Sequence, residues 1–176
     1  MKKAMVLSAI LVLAAAAMAV PGPDMSGKWT LDKTKSDPIR MGGRGQGGGG
    51  GAPGGPPPDI DVTLVIKQSA ADLTIKRTMA FPGRDPMETE TKYTLDGKEA
   101  TVPGMMGREM KATAKADGDK IIVDSKGSFQ TPQGDTREVS THDEYTLSAD
   151  GKVLTITTTR ATPQGDRTSK QVFNKQ

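Results

Sequence analysis

Three charged residues fall where an extended chain would otherwise place apolar side chains. In "ADLTIKRTMAF" (71–81), Arg77 shares its alternation with Leu73, Ile75, Met79 and Phe81. In "TREVSTHDEYTL" (136–147), Asp143 does so with Val139, Tyr145 and Leu147. In "KVLTITTTR" (152–160), Arg160 follows Leu154 and Ile156 on the same parity. A charge buried without a partner is strongly unfavourable, so each must be paired, be wet or meet a ligand. A planar guanidinium suits a carboxylate or similar head group, so one reading has Arg77 and Arg160 holding such a group. The other has an internal arginine–aspartate pair, or side chains that reach water from strand ends. A register slipped by one residue would turn all three outward.

Other chemistry-bearing residues are sparse. His142, the single histidine, lies in "THDE" (141–144), where an extended chain sets it on one face with Glu144 and puts Asp143 on the other. A surface strand is the expected setting. Neither G-x-S-x-G nor H-E-x-x-H occurs, so no nucleophile elbow or zinc-protease helix is present. "DGD" (117–119) is too short for a calcium loop. The glycines at 47–51 lack the following Lys-Ser/Thr and helix that would let them cradle phosphate. No catalytic residue, and no enzyme, is expected. Methionines cluster in "PGMMGREM" (103–110), where Met106 and Met110 share a parity. Clustered thioethers suit Cu(I). The chain has no cysteine and no histidine nearby, and a pliable apolar lining is the expected role. Neither a metal nor a cofactor is expected.

The elements that position these residues are strands. After residue 59 the chain is rich in Thr, Val and Ile, and period-2 segments alternate with Asp-Gly, Pro-Gly and Gly-Asp turns. Ile60, Val62, Leu64 and Ile66 share one face, as do Met87, Tyr93 and Leu95, then Met110, Ala112, Ala114 and Ala116, then Ile121, Val123 and Phe129. "TPQGD" occurs at 131–135 and 162–166, and "YTLDGK" (93–98) is echoed by "YTLSADGK" (145–152). These repeats mark one β-hairpin used several times over. Hairpins with short loops build an antiparallel up-and-down meander. Its apolar face needs cover and no helix is available, so closure into a barrel of about eight to ten strands is expected. A two-sheet β-sandwich is the alternative. "GKWTLD" (27–32) is expected to be the first strand, with Trp29, the single tryptophan, pointing inward to plug the barrel floor.

The N-terminus reads "MKKAMVLSAILVLAAAAMA", with two lysines, an apolar run and a small-residue end. That is a secretory signal pattern over 1–19, cut after Ala19. The alternative, a transmembrane anchor, is short for a span of about 20 residues, and Pro21 and Pro23 follow at once. Residues 20–176 are expected to form one exported domain, periplasmic or extracellular, with no integral span after cleavage. The net charge of +3 includes Lys2 and Lys3, so the remainder is near neutral with its charges dispersed. Nucleic acid is not an expected partner. "MGGRGQGGGGGAPGGPPP" (41–58) cannot pack and reads as a flexible loop, expected to lie across one mouth as a lid. It supplies too little charge for an RGG-like nucleic-acid segment.

With Gly27 and Trp29 read as Gly-x-Trp on a first strand, the chain resembles the lipocalin-like, or calycin, barrels. It is more similar still to small secreted bacterial lipocalin-like proteins of unknown role. Those open on a stretch like "GKWTLDKTKS" and close on a hairpin like "SADGKVLTITTTR". The resemblance spans the chain outside 1–19 and the glycine-rich segment. It implies an arginine packed across Trp29, for which Arg160 and Arg167 are the available residues. It also implies an interior that holds a small apolar or amphipathic ligand. The candidate lining is Trp29, Arg77, Met79, Tyr93, Met110, Phe129, Tyr145 and Arg160. The alternative function is a non-catalytic structural or interaction module of the cell envelope, meeting a protein partner through its glycine-rich loop.

Overall fold

Alternating apolar and polar residues become ten antiparallel strands in the computed structural model, which describes residues 22–39, 59–104, 108–130, 134–162 and 165–176. The strands are β1 (Gly27–Leu31), β2 (Asp61–Gln68), β3 (Asp72–Ala80), β4 (Met87–Thr94) and β5 (Ala100–Pro103), then β6 (Glu109–Asp117), β7 (Lys120–Gln130), β8 (Thr136–Leu147), β9 (Val153–Arg160) and β10 (Arg167–Lys175). Expectations for residues 1–19, 41–58 and Met106, and for the Phe129 side chain, lie outside the described residues. No described helix is long and apolar enough to cross a membrane.

All ten strands form one sheet, in the order β4-β3-β2-β1-β10-β9-β8-β7-β6-β5. The sandwich alternative is thereby ruled out. Chain neighbours pair throughout except at one place, and β1 pairs with β10 to bring the first strand beside the last. The exception is β4 and β5, the two ends of the sheet. The segment between them is tied to β6 by an isolated Asp96–Lys115 bridge and a Gly97 N–H to Ala114 C=O bond of 3.0 Å. The result is a nearly closed barrel. The turns behave as their residues require: Gly118, between Asp117 and Asp119, has φ +63°, a conformation that L side chains rarely adopt. Strand β5 was not legible in the sequence, because four residues are too few to show alternation.

The buried core runs along the barrel and is densest at one end. Trp29, Leu73, Ile121, Val123, Leu154 and Phe173 are fully buried there, with Leu64 and Ile66 nearly so. The Trp29 indole donates its Nε1–H to the Met25 carbonyl at 2.9 Å, and Met25 is itself fully buried. Gln68 fastens this entering segment. Its Nε2 donates to Pro23 C=O at 2.8 Å and its Oε1 accepts from Met25 N–H at 3.0 Å. Further back, Gly22 abuts the opposite wall, where a Cβ would lie 2.8 Å from the Ala116 Cβ. Residues 22–26 therefore cross beneath the barrel and complete its floor.

One expectation is corrected. The cation over Trp29 is Lys175, whose Nζ lies 5.2 Å from the ring centroid. Neither Arg160 nor Arg167 can take that place. They are register partners at the far end of β9 and β10, whereas Trp29 pairs with Lys175.

Candidate functional site

Above the packed floor, the inward parity turns polar. Strand β3 carries Leu73 and Ile75, both buried, and then Arg77. Arg77 Nη2 donates to Gln171 Oε1 on β10 at 3.2 Å. Strands β2 and β1 stand between β3 and β10 in the sheet, so this bond spans the curved interior rather than a ladder. Arg77 Nε is buried and has no hydrogen-bond partner among the described residues. Burial lowers the Arg77 pKa from the ordinary arginine value, while Tyr145 and Asp143 act in the opposite direction.

Asp143 faces the same space from β8. It is half-buried, and its Oδ1 accepts the Thr158 hydroxyl of β9 at 2.5 Å. Burial raises its pKa above the usual carboxylate value; the Thr158 bond, Arg77, His142 and Arg160 oppose that rise. Arg77 and Asp143 thus form no direct ion pair; each is bound to a neutral neighbour. Tyr145, 8% exposed, lies next along β8 on the same face, and its phenol is pushed well above the ordinary value by burial. Burial lifts Tyr93, on β4, to about 12. Both phenols are therefore neutral donors near pH 7. Arg77, Tyr93, Asp143, Tyr145, Thr158 and Gln171 make a polar belt around the middle of the interior.

Toward the other end burial is uneven: Ile60, Val62 and Val102 stay buried, while part of the wall loosens. Met79, Phe81, Val139 and Arg160 are half-buried, and Met87, the register partner of Met79, is 50% exposed. This end is the mouth. Met110 occupies a notch between two glycines there, since a Cβ on Gly104 or Gly127 would lie 2.7 or 3.0 Å from its Cγ. Arg160 pairs in register with Thr141 and Arg167.

The candidate residues thus separate by depth. Trp29 is sealed in the floor, Arg77, Tyr93 and Tyr145 belong to the belt, and Met79, Met110 and Arg160 line the mouth. Two belt members, Gln171 and Thr158, were missed as site residues. Gln171 shares its parity with Phe173, and a polar side chain on an apolar alternation was the available signal.

The outer face carries a separate polar group. His142 Nδ1 lies 2.7 Å from Asp124 Oδ1, its Nε2 lies 3.6 Å from Glu144, and Lys120 reaches Glu144 at 2.6 Å. The Asp124 hydrogen bond is the chief reason the His142 pKa is raised. An open concavity of about 510 Å³ runs over this face past Lys111, Asp124, Lys126, His142 and Thr159. A smaller one of about 200 Å³ lies at the mouth rim, against Leu31, Pro38, Ile39 and Ile60.

A ten-stranded antiparallel meander curled into a nearly closed barrel, with polar residues among the apolar ones on its inner wall, is a lipocalin-like barrel fold. Comparison with solved structures agrees. The zebrafish ileal bile acid-binding protein complexed with cholic acid matches with a TM-score of 0.55 and 18% identity, over 86% of this chain and 98% of that one. A variant of the fluorescent protein UnaG matches with a TM-score of 0.55 and 15% identity, over 86% and 95%. A variant of the REP1-NXSQ fatty acid transporter matches with a TM-score of 0.54 and 16% identity, over 87% and 98%. At these identities the likeness is one of fold. No protein-family model and no curated protein sequence matches the chain.

Proposed function

We propose that this protein is an exported, non-catalytic carrier of a small amphipathic molecule, held in the barrel with an anionic head group at the polar belt and its apolar part toward the mouth. The observation that carries the reading is half-buried Arg77, whose buried Nε has no hydrogen-bond partner among the described residues. A donor left unmade in a low-dielectric interior is costly, and a carboxylate oxygen would satisfy it. Half-buried Met79, Phe81 and Val139 give the apolar part a wall that still reaches solvent. A bile acid-binding protein and a fatty acid transporter among the similar structures support the same class of ligand. Export rests on the signal pattern over residues 1–19.

The test uses dodecanoate as probe, titrated calorimetrically. One-to-one binding is expected, weakened about tenfold or more by Arg77→Leu, the usual scale for losing a charged hydrogen bond. Absence of binding, or equal binding by Arg77→Leu, would remove the reading. Native mass spectrometry of protein from its host's envelope would then identify the physiological ligand.

A further inference from the structure

The belt that would receive an anion already holds a carboxyl group. Arg77 on β3, bonded to Gln171, and Asp143 on β8, bonded to Thr158, stand on strands five apart in the ten-strand order and so face one interior from opposite walls. We propose, building on the carrier reading above, that an anionic ligand enters this interior together with one proton, which Asp143 takes up.

The argument is one of charge. An anion placed at Arg77 would put two negative groups in one half-buried site, with Arg77 between them and Arg160 further out. Two acidic groups sharing such a site do not both stay ionised; one binds a proton. A ligand that is a sulfonate or a strong acid keeps its charge, so the proton goes to Asp143. The proton comes from solvent and forms an O–H bond on Asp143, and no other bond changes. Neutral Asp143 then has a donor to offer the head group, while it can still accept from Thr158.

The neighbours leave Asp143 as the group that titrates inward. Strand β7 presents uncharged Val123 opposite it, and β9 presents Thr158 and, further out, Arg160. Across the interior stand Arg77, Gln171 and Tyr93, and on its own strand Tyr145. Both tyrosines are already protonated near neutral pH, so they cannot accept the proton. His142 adjoins Asp143 in sequence but faces outward toward Asp124. Burial raises the Asp143 pKa above the usual carboxylate value, which brings its titration toward the range where a bound anion can complete it.

The probe is 8-anilinonaphthalene-1-sulfonate, whose sulfonate stays charged from about pH 5 to about pH 8. Its Kd, read by fluorescence, should fall as pH falls, by up to about tenfold per pH unit. Asp143→Asn should bind more tightly than the wild type at about pH 8 and lose the slope. His142→Gln should keep it. Calorimetry of the wild type in two buffers of different ionisation enthalpy should show proton uptake approaching one per probe, without relying on any variant. A slope that survives in Asp143→Asn, or vanishes in His142→Gln, overturns the proposal. Binding with no slope and no proton uptake overturns it and leaves the carrier reading standing. No binding at any pH overturns both.

Discussion

Lys175 and Trp29 face each other across the β1–β10 ladder, with the ammonium 5.2 Å from the ring centroid. The indole is sealed between the barrel above and Met25 below, and the lysine closes its remaining side. Trp29→Ala should therefore cost about 3–5 kcal/mol, the scale for emptying a large core site. Lys175→Ala removes an exposed cation–π contact and should cost no more than about 1 kcal/mol. Urea unfolding followed by circular dichroism separates the two. Equal losses would mean that Trp29 is not the keystone of the floor.

Arg77→Leu should dissociate stability from binding. Leucine removes the unpartnered Nε but also the Nη2 bond to Gln171 Oε1; the two effects oppose each other, so the midpoint of urea unfolding should move little. Anionic probe binding should fall in the same variant. A large loss of stability would show that Arg77 is structural mortar.

His142 should titrate above its ordinary value near 6.5, because protonation strengthens its contact with Asp124. Its folded pKa exceeds its unfolded pKa. The associated stability is therefore fully present below the unfolded pKa and is lost as pH rises through the folded one. The pair is close to half exposed, so solvent screening keeps the gain small. An NMR titration of His142 checks this directly. Asp124→Asn should return the pKa toward 6.5, and an unchanged midpoint would refute the assignment.

The tyrosines give a spectroscopic check on the belt. Absorbance at alkaline pH should show Tyr93 ionising near 12, and Tyr145 ionising only as the barrel unfolds. Ionisation of both near the ordinary value of about 10 would mean that the belt is wet.

The fold was largely legible in the sequence because two-residue alternation and Asp-Gly turns are local signals. Val62, Leu64 and Ile66 announced β2 by themselves, and alternation put Arg77, Asp143 and Arg160 on the apolar parity without deciding whether they face inward. What alternation could not supply was who meets whom across the interior. Arg77 and Gln171 are 94 residues apart and join only after the sheet curls. Lys175 replaced the expected arginine for a similar reason: the hairpin register of β9 and β10, not residue type, decides which cation lands over Trp29.

The unpaired junction between β4 and β5 gives the barrel a movable origin. Gln176 N–H donates to Lys28 C=O at 2.9 Å, so the chain's first strand and its last residue already touch at the floor. In a circular permutant, reopening the chain between Leu95 and Ala100 would leave every ladder intact, with residues 22–26 kept in place beneath the barrel. The contacts put at risk are the Asp96–Lys115 bridge, the Gly97 bond and the Lys98–Asp96 and Lys111–Glu99 ion pairs.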